Sequence, residues 1–181
     1  MLKTSLLLLA LGTSLGAQSM KPKGKPAAFS PVGDARALWQ MNANYVLRSA
    51  ELAPDSMYAW KPVSTVRSFG QLIAHVAGAQ HMFCAMILGE KQSAEDDIEK
   101  TVTSKSGLIS AMKESNSHCE RAYAMSDKAA SASIEVFGTK RSKLFTLMMN
   151  AAHDDEHYGN IVTYMRMNGM VPPSSMPQQK P

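Results

Sequence analysis

Four long stretches of this 181-residue chain repeat their apolar residues at three- and four-residue steps, and no stretch shows a convincing run of strand alternation. An apolar stripe of that period lies on one side of a helix and must be covered by another helix. The pattern therefore restricts the chain to an all-α fold, a four-helix bundle. The first stretch spans about Val32–Ala53, with Leu38, Met41, Tyr45 and Leu52 expected to face inward and Pro54 closing it. The second runs over Phe69–Leu88, with Phe69, Leu72, Ile73, Val76, Phe83 and Ile87 on its stripe. Ser68 and Gln71 form a capping box at its start, and Gly89 ends it. The third covers about Lys105–Met125, with Leu108, Ile109, Met112, Cys119 and Ala122 inward. The fourth and longest covers about Ser142–Asn168, and Gly169 stands where a left-handed cap is wanted.

The connections Pro54–Arg67, Glu90–Ser104 and Ser126–Arg141 are too long for minimal hairpins. Loops of this length can cross an end of the bundle diagonally, so up-down-up-down topology is not implied. The bundle is expected over residues 29–173, with a loose tail over 174–181 after Pro172 and Pro173.

The first 17 residues read differently. A lysine at position 3, an apolar run Leu6–Leu15 and the small residues Gly16 and Ala17 have the order of a secretory signal peptide. The run is shorter than the roughly 20 residues of a membrane span. Export to the periplasm or the medium is therefore the expectation, with no membrane span. Residues 18–28 form a Lys- and Pro-rich flexible linker. Lys3, Lys21, Lys23 and Lys25 account for the basic excess, leaving 15 basic and 15 acidic residues from Ala27 onward. A domain without a net basic field lacks the electrostatic footprint of a nucleic-acid binder. Cys84 and Cys119 have no metal-ligand spacing; a single bridge and two inert buried thiols both suit them.

The chemistry concentrates in His153-Asp154-Asp155-Glu156-His157. Histidines at i and i+4 lie one helical turn apart on the same face and can converge on one ion. With His153 at zero on a helical wheel, His157 falls at about 40°, while Leu147, Tyr158, Ile161, Val162 and Met165 fall between about 80° and 180°. The pair therefore borders the apolar arc, where an unpartnered imidazole costs roughly 1–3 kcal/mol. HxxxH alone is a weak signal, and a closed site needs a third ligand from elsewhere. His75, at the edge of the second stripe, is the best placed, whereas His81 and His118 are expected to be solvated. Asp154 lies toward the inner face and Asp155 and Glu156 toward the outer; with Asn160 they are candidate partners or bases. Three imidazoles suit zinc or nickel first, then iron(II) or copper(II), ahead of calcium or magnesium. No GxSxG elbow and no phosphate-cradling glycine loop is present.

Three stretches together resemble the DinB-like superfamily of metal-binding bundles. They are Tyr58–Pro62 leading into Val66–Gly70, then Leu72–Ala77, and finally His153–Asn160 followed by Tyr164–Pro173. The resemblance covers about Val32–Pro173. It implies an up-down-down-up bundle that often forms homodimers. It also implies a divalent metal held by one histidine of the second helix and two of the fourth, here His75, His153 and His157. Members include bacillithiol transferases and the mycothiol-dependent maleylpyruvate isomerase, whose thiols are cytosolic, whereas this chain is expected outside the cytosol. Two functions follow as expectations. One is a metal-dependent hydrolase or transferase acting on an unidentified small molecule. The other is a non-catalytic module that binds metal or is stabilised by it.

Overall fold

A computed structural model describes residues 29–177; the expected signal peptide, the linker and the last four residues lie outside that range. Four long helices carry the fold: α1 (Pro31–Leu52), α2 (Phe69–Leu88), α4 (Lys105–Tyr123) and α6 (Lys143–Met167). Each opens on a serine, namely Ser30, Ser68, Ser104 and Ser142, whose side chain accepts a hydrogen bond from an otherwise unpaired first-turn amide. At Ser68 the full capping box with Gln71 is present, and Gly89 and Gly169 adopt the left-handed conformation.

The helix directions follow from cross-contacts. The Cys84–Cys119 bridge and the Gln80–Asn116 hydrogen bond join like heights of α2 and α4, so these two run parallel. Glu51 pairs with Lys113 and Arg36 with Glu120, so α1 and α4 are antiparallel. Asn42 reaches the Ala151 carbonyl and Tyr45 stacks on Tyr158, which makes α1 and α6 parallel. The order is up-down-down-up. The chain must therefore travel the bundle's length between α2 and α4, and residues 89–104 do so with one short helix, α3 (Asp97–Thr101).

The first helix corrects its sequence reading. Leu38, Met41 and Leu52, expected inside, are 45%, 45% and 43% exposed. The buried face carries Ala35, Trp39, Ala43, Val46 and Ala50, with Tyr45 only partly covered. Small residues let α1 approach its neighbours closely, and Trp39 and Val46 fill the remaining space. A stripe chosen by the largest side chains therefore points the wrong way. The connection after α4 also holds more than a loop. It contains α5 (Asp127–Ala130) and an antiparallel hairpin, β1 (Ser133–Val136) with β2 (Thr139–Ser142), turning at Phe137 and Gly138. β2 is wholly polar, so alternation could not reveal it.

Two large apolar layers fill the bundle, beside a small third cluster of Ala79, Met82 and Phe83. One centres on Phe69, Ile73, Leu108, Met112, Ile161 and Met165, the other on Trp39, Ile87, Tyr123 and Leu147 with the disulfide. The bridge closes a 35-residue separation, which on the chain-entropy model stabilises the fold by about 4 kcal/mol. Beyond α6, the expected loose tail is held at its first residues. The Ser174 amide donates to the Tyr158 hydroxyl at 2.9 Å, and the Tyr158 hydroxyl donates to Ser174 Oγ at 2.8 Å.

Candidate metal centre

Antiparallel packing of α2 against α6 sets the second turn of one helix beside the middle of the other. His75 projects from α2 and is buried, while His153 and His157 project from one face of α6 and are half-buried. Their Nε2 atoms converge: His75 lies 3.1 Å from His157 and 3.2 Å from His153. An ion bound tetrahedrally at 2.0–2.1 Å separates its nitrogens by about 3.3 Å, so this spacing fits three imidazoles around one ion. These three form the one cluster of potential metal ligands among the described residues.

The rings are held in the form a metal needs. Burial, with Arg67 and the neighbouring rings adding to it, pushes His75 down to about 3. Burial and then His153 push His157 down to about 4, and burial lowers His153 as well. All three are therefore neutral at neutral pH, with lone pairs open to an ion. The far ring nitrogens, Nδ1, are buried and make no aligned hydrogen bond. Glu95 Oε1 stands 3.1 Å from His75 Nδ1, off the N–H direction but on a partly exposed side chain free to turn. A carboxylate behind a ligating imidazole fixes its tautomer and raises its basicity.

Glu95 reaches that position through a glycine. A Cβ at Gly78, one turn along α2 from His75, would lie 2.0 Å from the Glu95 carbonyl oxygen. The bare backbone of Gly78 thus lets the α2–α3 connection press onto the helix beside the site.

The other expected partners divide by face. Asp154 is fully buried, 4.0 Å from His153 Nδ1, and neither of its oxygens has a hydrogen-bond partner. Burial raises its carboxyl well above the usual range. Asp155 and Glu156 are exposed on the outer face. Asn160, also exposed, lines a cavity of about 650 Å³ that opens beside His157, together with Lys61, Arg67, Gln71 and Tyr164. On the opposite side, Phe83 sets its ring edge-on to His153 at 5.8 Å, with Phe137 of the hairpin tip against Phe83.

His81 and His118 correct their sequence reading. Their rings stack at 4.4 Å where α2 and α4 pack, His118 is 10% exposed at its side chain, and its Nε2 lies 2.8 Å from Glu90. A wheel drawn for one helix does not show that the two residues face one another. Arg67, Glu95 and Phe83 are site residues that sequence reasoning did not single out. For Arg67 a signal existed, since it immediately precedes the Ser68 cap of the helix that carries His75.

A family model for the DinB superfamily matches residues 38–161, from α1 to beyond the histidine pair of α6. The chain belongs to the DinB superfamily. Among solved structures it resembles a DinB-like protein from Bacillus cereus ATCC 10987, with a TM-score of 0.68 at 17% identity over 78% of this chain and 95% of that one. A DinB-like protein from Bacillus subtilis matches with a TM-score of 0.61 at 21% identity, covering 81% of this chain and 99% of that one. The mycothiol-dependent maleylpyruvate isomerase matches with a TM-score of 0.62 at 19% identity, covering 72% of this chain but 60% of its own. At these identities the likeness is one of fold. No curated protein matches the sequence.

Proposed function

We propose that this DinB superfamily member holds a divalent ion on the Nε2 atoms of His75, His153 and His157 and uses it to transform a small molecule, as a hydrolase or transferase. The observation that carries the reading is the convergence of three neutral imidazole nitrogens beside a cavity that reaches His157. Three protein ligands leave a coordination position free, the arrangement of catalytic rather than structural sites. An ion there would supply Lewis acidity toward an oxygen or sulfur ligand. The chain's own part is to hold the rings neutral, to fix His75 from behind with Glu95, and to close one side against water with Phe83. Imidazole ligands favour zinc or nickel, then iron(II) or copper(II). The isomerase among the fold relatives is mycothiol-dependent, which supports including thiol transfer among the reactions to be tried. Export is part of the proposal, and the buried Cys84–Cys119 bridge supports it, because such bridges persist in oxidising compartments.

Elemental analysis of protein purified without chelator, beside His75→Ala, tests the centre. About one equivalent of metal is expected in the wild type and a large loss in the variant. Equal metal in both would remove the site. Ester, amide and thiol-transfer probes then test catalysis. Turnover that disappears in His153→Ala, with the helical circular dichroism spectrum retained, is the expected result. Metal uptake without turnover of any probe would favour the non-catalytic module. Identification of the mature N-terminus after expression in a bacterial host tests export.

A further inference from the structure

The mouth of the cavity has a chemistry of its own. Two cations line it, Lys61 and Arg67, and the one carboxylate on its wall, Glu99, is already engaged by Arg67, Nε to Oε2 at 3.0 Å. That contact leaves both terminal nitrogens of the guanidinium free to take a carboxylate in the two-pronged geometry arginine favours. Arg67 is held in place on two sides. Its carbonyl accepts a hydrogen bond from the Tyr164 hydroxyl at 2.9 Å, and the next residue caps α2. Lys61 is tied to the same segment by donating to the Ser64 carbonyl at 3.1 Å. Gln71, Asn160 and Tyr164 complete a polar wall of hydrogen-bonding groups.

All three candidate ligands are imidazoles rather than carboxylates or thiolates, so the ligand set itself brings no negative charge to offset an ion bound there. The carboxyl groups nearest the rings, Glu95 and Asp154, stand at the Nδ1 atoms, behind the imidazoles and away from the convergent Nε2 atoms. The cavity wall therefore carries two cations against one carboxylate, and that carboxylate is already engaged by Arg67. A neutral or cationic guest would leave that charge uncompensated, whereas an anion offsets it at both ends of the cavity.

We infer that the substrate is a small organic acid, bound by its carboxylate on Arg67 and Lys61, with its reacting group directed to the three histidines. About 650 Å³ suits a molecule of metabolite size. The direction of the reacting group rests on the proposed metal centre, while the carboxylate clamp rests on Lys61 and Arg67 alone.

Calorimetric titration with succinate and its uncharged counterpart succinamide tests this, on zinc-loaded and metal-free protein, with zinc uptake followed in parallel by chelator competition. Succinate is expected to bind at least tenfold more tightly than succinamide. Arg67→Gln should weaken succinate at least tenfold while the protein still takes up zinc. Arg67→Lys should keep an intermediate affinity, and it also covers the case in which the glutamine variant does not fold. Lys61→Gln should lose affinity by a smaller factor. Equal affinity for the two probes, or wild-type succinate binding in both Arg67 variants, would overturn the inference and leave the metal centre standing. Failure of the wild type to take up zinc would remove the metal centre, and the titrations on metal-free protein would still decide the clamp.

Discussion

Three imidazoles whose Nε2 atoms approach to 3.1 and 3.2 Å cannot all be satisfied by one another, because each neutral ring carries a single proton. In the metal-free protein their burial therefore has a consequence for stability. His75 and His157 sit at about 3 and about 4 in the fold, while the ordinary value of 6.5 applies once the chain unfolds. Between these values the unfolded chain binds more protons than the folded one, so stability rises with pH across the window. Thermal melts of metal-free protein should therefore fall in midpoint as pH drops from about 6.5 toward about 4, with a further loss toward about 3. His157→Asn should flatten that slope. Glu95 acts on the same group through contact with Nδ1. Removing a partner behind a ligating histidine costs metal affinity by roughly 10–100-fold, and Glu95→Ala should lose zinc affinity within that range by chelator competition. Glu95→Gln, which keeps an acceptor, should recover part of it.

At the level of elements, the site depends on two helices and the connection that crosses them. α2 and α6 bring the rings together, and the residues after Gly89 bring Glu95 over α2. That crossing is held close by the absence of a side chain at position 78, where a Cβ would meet the Glu95 carbonyl oxygen at 2.0 Å. Backbone cannot yield as a flexible side chain can. Gly78→Ala should cost roughly 1–3 kcal/mol in chemical denaturation, the usual range for overpacking. By displacing Glu95 it should also weaken zinc binding. A loss of stability with unchanged zinc affinity would show that the crossing and the ring contact are independent.

Across the whole molecule, the parallel pair α2 and α4 is locked by Cys84–Cys119, in an apolar layer that includes none of His75, His153 and His157. Replacing both cysteines by alanine should lower unfolding free energy by roughly 2–4 kcal/mol in a urea titration. Zinc stoichiometry should not change, because no atom of the bridge belongs to the site.

Much of this architecture is written in local pattern. The extent of α2, its Ser68–Gln71 cap and the glycine after it follow from residues within a few positions of one another, as does the shared face of His153 and His157. The apolar stripe of α2 could place His75 at its edge, and the family resemblance pointed to the same residue. What the sequence by itself determined, then, was the four long helices and which three histidines come together. Tertiary structure decided the rest, because it depends on partners distant in the chain. α1 buries its small residues rather than Leu38 and Met41, since only packing against α4 and α6 determines which face fits. Glu95 and Arg67 join the site from segments without periodicity, where position comes from a helix beneath or a tyrosine across the bundle. Local propensity fixes what one element is; distances between elements follow from close packing, which no single stretch of sequence contains.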